Sequence, residues 1–279
     1  MATAELKKIE VTLTDGEPYE VPYWFVDSGQ PGPSVLVFAA QHGNEIQGSE
    51  MLRRIRPTLE GGIRAGRCML VPFANPKGVE RHQPHVDAGP KKVFSNSLNS
   101  SWPGDPEGNN AQRLACALHE AVVRDATHVL DLHCWQRLRA TTGLARTDRP
   151  DTIELTNVMG PPFGRHGLWK PEETERPVFP CTISNYFNDS GRFGLTVEFS
   201  GQYGFWHIEL QRGGRMLRNA FRHFGMLPGE AEEPEHPTVW LNDCDQVEVH
   251  APVEGVFVQS PLTPGDRVRE GELLGHLFD

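Results

Sequence analysis

The sequence of 279 residues has no apolar run long enough to cross a membrane. Its longest apolar stretches, Val35–Ala40 and Cys68–Ala74, fall well short of the roughly 20 residues that a transmembrane helix needs. The N-terminal segment Met1–Glu10 lacks an apolar run followed by a small-residue cleavage site, so we expect no secretory signal. The five cysteines include no C-x-x-C pair, which is typical of free thiols. These absences predict a cytoplasmic protein.

Positive charge is also scarce in the sequence. Lys and Arg number 27 against 37 Asp and Glu, which gives a net charge of −10. Such a chain lacks the broad basic surface that nucleic acid or an anionic membrane attracts, so we expect neither as a partner. Histidine, by contrast, is plentiful, with 12 residues against 4 tyrosines. Because neutral imidazole is a common metal ligand, the positions of these histidines need to be examined.

Apolar segments alternate with segments of helical periodicity along most of the chain. Strands are predicted at residues 21–26, 34–40, 67–73, 127–132 and 194–199. Helices are predicted at residues 48–55, 111–124 and 206–224, and residues 75–110 have the composition of a long irregular loop. This alternation predicts an α/β fold with a mixed, largely parallel central sheet and helices on both faces.

The composition of the sequence changes after Gly229. Residues 230–237 are acidic and contain proline, which predicts a linker. Residues 238–279 then show short apolar segments at 246–250, 255–259, 267–268 and 273–278, separated by proline and glycine. We therefore expect a large α/β domain over residues 1–229 and a small all-β appendage over 238–279. A unit of that size rarely folds alone, so it is expected to pack on the larger domain.

Polar side chains follow three of the predicted strands, at the ends where α/β sheets bind their ligands. His42 and Glu45 come directly after one strand, and Gly43 between them can take a positive φ at no steric penalty, so the chain can turn sharply there. His133 ends another strand, and Glu198 lies near the end of a third. Two histidines and a carboxylate form a known catalytic zinc set with one open position. Glu198 would then serve as general base.

Ordinary structural roles compete with this interpretation. An isolated H-x-x-E pattern is common by chance, and Glu198 alone could belong to a buried ion pair. Asp131, two residues before His133 on the same side of the strand, is predicted either to orient that imidazole or to play a purely structural part. In the least specific alternative, the protein is a metal-free α/β scaffold.

Several motifs resemble the aspartoacylase and succinylglutamate desuccinylase family, zinc amidohydrolases with a carboxypeptidase-like catalytic domain. In chain order they are His42-Gly43-Asn44-Glu45, Asn75-Pro76-Lys77-Gly78-Val79-Glu80-Arg81, Leu98-Asn99 with Trp102-Pro103-Gly104, Asp131-Leu132-His133 and Thr196-Val197-Glu198. The tail is similar to half of a biotinyl or lipoyl barrel, although no lysine follows Lys170 to carry such a group. The resemblance implies His42, Glu45 and His133 as ligands of one Zn²⁺ per chain. It also implies Glu198 as the catalytic carboxylate in hydrolysis of an N-acyl amide.

The sequence departs from this family where arginines would hold the substrate. The family usually reads D-L-N-R, whereas this chain reads Ser97-Leu98-Asn99-Ser100. A second family arginine would stabilise the oxyanion, and near its place this chain has Gln83-Pro84-His85. Asn99 is therefore predicted to contact the substrate, and Arg81 is a weaker candidate. Alternative donors are His82, His85, Arg137, Arg139 and Arg146.

The leading hypothesis is thus a zinc-dependent deacylase acting on a small-molecule N-acylated amino acid or amine. A metallocarboxypeptidase acting on short peptides and a zinc-binding protein without turnover are the alternatives, the latter because the arginines are missing. Manganese or cobalt could occupy a similar site. The sequence leaves the substrate's identity open, and it leaves open whether the protein is a homo-oligomer.

Overall fold

Nine strands form one central sheet in the part of the chain that the structure describes. In chain order they are β1 (Ala4–Thr12), β2 (Pro18–Asp27), β3 (Ser34–Ala39), β4 (Arg67–Val71), β5 (His128–Cys134), β6 (Thr142–Arg146), β7 (Phe163–Gly167), β8 (Phe193–Phe199) and β9 (Val239–Trp240). The structure, a computed structural model, describes residues 2, 4–16, 18–87, 96–136, 140–167, 182–202, 204–234, 236–243, 247–262 and 266–278.

The strands lie in the order β1-β2-β4-β3-β5-β8-β6-β7-β9. The four central neighbours β4, β3, β5 and β8 run parallel to one another. Antiparallel pairs occur between β1 and β2, between β2 and β4, and between β8 and β6. The sheet is therefore mixed and largely parallel, which confirms the prediction from the sequence.

Helices cover both faces of this sheet. They are α1 (Gln47–Gly62), α2 (Pro76–Glu80), α3 (Asn110–Leu118), α4 (Pro150–Met159), α5 (Ile183–Asp189) and α6 (His207–His223). Helices α1, α4 and α6 pack together on one face, whereas α3 and α5 contribute to the hydrophobic cluster on the other. The predicted helix at 111–124 is α3 followed by a single π-helical segment, His119–Val123.

Strand β3 shows why an unbroken apolar run belongs at the centre of such a sheet. All six of its residues are buried. Val35 and Val37 pack in the cluster with α1 and α6, and Leu36 and Phe38 pack in the cluster with α3 and α5. Because successive side chains point to opposite faces, a strand covered on both sides needs apolar residues at every position.

The sequence patterns missed several elements. Strands β1, β6, β7 and β9 and helices α4 and α5 had no predicted counterpart, and the segment interpreted as a loop contains α2 and the 3₁₀ turn Leu98–Ser100. In the tail, β10 (Val256–Gln259) pairs antiparallel with β11 (Gly275–Phe278). The strands predicted at 246–250 and 267–268 are wrong, since residues 247–250 and 267–268 are not in strands.

The segment predicted as a linker is held closely against α6. The Asn219 side chain accepts a hydrogen bond from the Glu232 amide and donates one to its carbonyl, each at 2.8 Å. The Glu232 carboxylate also pairs with Arg218 and Arg222. Shortly afterwards β9 joins the edge of the large sheet beside β7. The division of the chain into domains at residue 238 stays a prediction.

Two further predictions concern the cysteines and the membrane. Cys68, Cys116 and Cys134 are free thiols, as expected, whereas Cys181 and Cys244 lie outside the described residues. Within the described ranges, no helix combines the length and apolar character needed to cross a bilayer.

Candidate metal centre and active-site cavity

Three adjacent central strands place the candidate residues at one edge of the sheet. His42 and Glu45 follow β3, and β5 pairs with both β3 and β8. His133 on β5 lies directly opposite Glu198 on β8 in the strand register. Residues opposite each other in a sheet point to the same face, so both side chains project into the same space.

The turn after β3 is made differently from the prediction. Gly43 is not among the residues with positive φ; Ala40 is, with φ of 53°. Gly43 is required instead by close packing, since a Cβ at this position would lie 2.0 Å from the carbonyl carbon of Gly78. The segment carrying His42 and Glu45 therefore lies directly against the start of α2.

His42, Glu45 and His133 converge on one point. One ligand atom from each lies within 4.8 Å of the others, and no second group of three such residues occurs in the described part of the chain. The Glu45 carboxylate lies between the two imidazoles, with Oε1 2.9 Å from His42 Nδ1 and Oε2 2.7 Å from His133 Nδ1. The ring centroids of the two histidines are 4.9 Å apart. Two imidazoles and a carboxylate at this spacing fit a divalent metal such as zinc.

The Nε2 atom of each imidazole, on the side away from Glu45, is within hydrogen-bond distance of a polar side chain. His133 Nε2 lies 3.0 Å from Asp131 Oδ2, and His42 Nε2 lies 3.2 Å from Ser97 Oγ. Asp131 is itself fixed by a hydrogen bond of 2.7 Å from the Gln41 side chain. These contacts leave both Nδ1 atoms directed at Glu45, the arrangement that orients histidine ligands around a metal.

The charges in this cluster support one another. Burial opposes ionisation of Glu45, but the positive charges of His42 and His133 outweigh it and hold the pKa of this carboxyl below its usual value. Burial likewise disfavours protonation of His133, yet the negative charges of Asp131 and Glu45 raise the pKa of this imidazole well above its ordinary value. A positive charge is thus strongly favoured between two buried carboxylates, which is also what a metal cation would supply.

Two cavities meet at Glu198. One, of about 470 Å³, is lined by the metal cluster residues His42 and Glu45 together with Gln202. The other, of about 590 Å³, extends over β8, β6 and β7 and includes His133 and Asn99. Glu198 and Trp135 line both. A carboxylate at this junction can exchange a proton with a molecule bound in either space.

The predicted substrate contacts have different positions. Asn99 lines the larger cavity, and its buried Oδ1 accepts no hydrogen bond from the described residues. Arg81 is exposed at the end of α2 and does not line either cavity; its contact with substrate stays a prediction. His82 is exposed too. The pKa of His85 is lowered, first by burial and then by the charge of His42. His85 therefore lies near the site.

The candidate arginines after His133 are only partly described. Arg137 and Arg139 lie outside the described residues. Arg146 lines the larger cavity, but its guanidinium pairs with Asp148 at 2.6 Å and also with Asp189. It is therefore already neutralised by two carboxylates.

Two site residues were missed from the sequence. Ser97 was noted only as a departure from the family motif, and nothing local in the sequence links it to His42, which lies 55 residues earlier. The Gln202 side chain donates to Glu45 Oε1 at 3.0 Å and to the Cys134 carbonyl at 3.2 Å. Gln202 follows the end of β8 by three residues, so the reasoning that selected His42 and Glu45 could have found it.

The combination of this sheet with a His-Glu-His cluster at its carboxyl edge defines a candidate metallohydrolase centre. The profile of the succinylglutamate desuccinylase/aspartoacylase catalytic domain matches residues 31–224, and the chain belongs to this family. The family predicted from the motifs is thereby confirmed.

Individual relatives agree with this assignment. An N-alpha-acetyl-L-2,4-diaminobutyric acid deacetylase from Halomonas elongata is 24% identical over 276 residues, covering 93% of this chain and 74% of its own. The crystal structure of a succinylglutamate desuccinylase from Silicibacter has a TM-score of 0.75 at 20% identity, covering 99% of this chain and 82% of its own. A metallo-carboxypeptidase from Burkholderia cenocepacia has a TM-score of 0.60 at 16% identity, covering 80% and 64%. The carboxypeptidase-like fold is confirmed.

Proposed function

We propose that the protein is a zinc-dependent hydrolase that cleaves the amide bond of a small N-acylated amino acid or amine. The convergence of His42, Glu45 and His133 beside Glu198, at the junction of two cavities, is the observation that carries this proposal. Family membership and the deacetylase relative from Halomonas elongata support the choice of an N-acyl amide. The acidic net charge fits a small-molecule substrate better than a polyanion.

One zinc ion per chain would be held by His42, Glu45 and His133. When bound, zinc polarises a carbonyl and lowers the pKa of water to about 7. The protein contributes a preformed set of donors in which Glu45 and His133 are buried, with Asp131 and Ser97 fixing the two imidazoles. Glu45 is further fixed through Oε2, which accepts a hydrogen bond of 3.0 Å from the Cys134 backbone amide.

Glu198 would act as the proton carrier. Its carboxylate accepts a proton from the attacking water and delivers it to the nitrogen of the departing amine, so that the C–N bond breaks as the amine leaves neutral. Asn99 would orient the substrate, since it lines the larger cavity and its Oδ1, which accepts no hydrogen bond from the described residues, could accept one from an amide N–H. The pKa of the neighbouring Cys134 thiol is raised by burial, which makes it a poor nucleophile.

The change Asp131→Asn tests the proposed orientation of His133. We expect zinc affinity to fall by about 10- to 100-fold, because an amide polarises and positions the imidazole less well than a carboxylate. Zinc affinity would be measured by competition with a chromogenic chelator. Asp105→Asn, at an exposed position that belongs neither to the cluster nor to the lining of either cavity, is the control. Unchanged affinity in Asp131→Asn would show that this contact is only structural.

A substrate panel with metal removal tests the function itself. N-acetyl and N-succinyl amino acids should be hydrolysed in preference to dipeptides, with loss of activity in chelator and recovery on adding zinc. Cleavage of dipeptides alone would favour the metallocarboxypeptidase alternative. Stoichiometric zinc without hydrolysis of any amide would favour the non-catalytic alternative, and activity that resists chelation would contradict the metal mechanism.

A further inference from the structure

The larger cavity has a floor made by three strands on one side of Glu198. Thr196 on β8 lies opposite Leu144 on β6, and Leu144 lies opposite Arg165 on β7. Glu198 is two residues from Thr196 on the same strand, so it shares this face. All four side chains line the cavity, as the register requires.

This register places Arg165 across β6 from Thr196, with Glu198 two residues further along β8. Strands β8 and β7 are separated by β6 alone, which places their backbones about 10 Å apart, or two inter-strand spacings of about 4.8 Å. Arg165 is exposed at the cavity rim. A molecule with its amide beside Glu198 could therefore extend along the floor and reach the guanidinium with its distal end.

The two arginines of this cavity differ in their partners. Arg146 is held by Asp148 and Asp189, with a side chain that is only 15% exposed. Among the described residues, no ion pair or side-chain hydrogen bond involves Arg165. A neutralised arginine is a poor receptor for a carboxylate, whereas an unpaired one can form a charge-assisted, bidentate pair.

Two polar residues next to Arg165 in the cavity wall, His166 and Asn242, are already engaged. His166 Nδ1 lies 3.2 Å from Thr147 Oγ1, and its ring packs against Trp240. The Asn242 side chain accepts a hydrogen bond from the His166 backbone amide and donates one to the His166 carbonyl, each at 2.8 Å. These contacts hold the wall of the cavity on the β7 side. Among the described residues that line it, Arg165 is therefore the arginine that remains available to bind an anion.

We propose that Arg165 determines specificity by binding a carboxylate of the substrate distal to the scissile amide. It thereby supplies from β7 the positive charge that Ser100, after Asn99, does not. This inference rests on the proposed function, because it assumes that the reacting amide lies at Glu198. The carboxylate can belong either to the acyl group or to the amino acid side chain, and matched substrates distinguish these two sources.

Two pairs of compounds test the proposal. N-acetyl-L-glutamate is compared with N-acetyl-L-glutamine, and N-succinyl-L-alanine with its terminal succinyl amide, each pair differing only in one distal charge. The wild-type protein should prefer the carboxylate in one of the pairs, which identifies the side that Arg165 reads. In Arg165→Gln, KM for that compound should rise by about 10- to 100-fold with little change in kcat, and the preference should disappear.

Control variants separate charge from packing. Arg165→Lys should retain part of the preference, since it keeps the positive charge. Arg124→Gln, which removes an arginine 57% exposed on the surface and paired with Glu120, should leave both KM values unchanged. A carboxylate preference that survives in Arg165→Gln, or a wild-type protein that prefers the neutral compounds, would overturn the proposal.

A binding measurement keeps this proposal distinct from the proposed function. The same four compounds are titrated calorimetrically into chelator-treated protein, where no hydrolysis is expected. Binding that is lost in Arg165→Gln supports the carboxylate site even if no compound is ever hydrolysed. Equal binding by wild type and Arg165→Gln, or no binding of any carboxylate compound by wild type, would reject the site and leave the hydrolase proposal standing.

Discussion

Replacing Glu198 by glutamine is expected to lower kcat by about 10²- to 10⁴-fold, the usual contribution of a general acid–base group. The amide cannot accept a proton from water or return one to the leaving amine. Because Glu198 is not part of the three-residue cluster, zinc content should stay near one per chain. The measurements are steady-state kinetics on the best N-acyl substrate and metal analysis of the same sample.

Two further variants make the Glu198 result specific. Glu198→Asp keeps a carboxylate on a side chain that is shorter by one methylene. Because it can still carry a proton, it should retain more activity than Glu198→Gln. Glu154→Gln, at an exposed position on α4, should have no effect. If Glu198→Gln lost its zinc, the residue would belong to the metal site. If it kept full activity, another group would have to carry the proton.

The second large effect is expected from His42→Ala, which should reduce bound zinc from about one per chain to near zero and abolish turnover. Two remaining protein ligands are too few for a stable catalytic zinc site. His42 is the better choice for this test because its side chain is 23% exposed, whereas His133 is 3% exposed and separates two buried carboxylates. Removing His133 would take the imidazole from between those carboxylates and leave two buried negative charges with only His42 to balance them, which endangers the fold.

A matched control exists elsewhere in the chain. His119 is 17% exposed and has a glutamate, Glu120, 3.2 Å from its Nδ1. His119→Ala should therefore keep both zinc and activity. Metal content would be measured after dialysis against metal-free buffer, with circular dichroism to show that each variant is folded. Full zinc retention by His42→Ala would contradict the proposed ligand set.

The central part of the fold and the cluster were predictable from local patterns. Segments such as Val35–Ala39 have no polar position, which only a strand covered on both faces tolerates. The polar residues that follow such strands must meet at one edge if the strands are parallel and adjacent. His42 and His133 are 91 positions apart in sequence, yet their rings are 4.9 Å apart at that edge.

The walls of the larger cavity were not predictable in the same way. Strands β6 and β7 have five residues each, contain glycine and carry charged side chains, so no periodicity marks them. Without these strands Arg165 has no assigned direction, and its relation to Glu198 depends on register across β6. The contact of Ser97 with His42 likewise joins residues 55 positions apart, which no local pattern indicates.

The order of the central strands has a consequence for how the protein folds. Strands β3, β5 and β8 are adjacent in the sheet but are separated by long stretches of chain, and parallel pairing of distant segments is intrinsically slow. Because the candidate ligands lie at the tips of β3 and β5, they cannot gather before these strands pair. Chains in which β3 and β5 have not yet paired would thus lack the metal-binding cluster, and an ion that binds only the folded form would shift the folding equilibrium toward it.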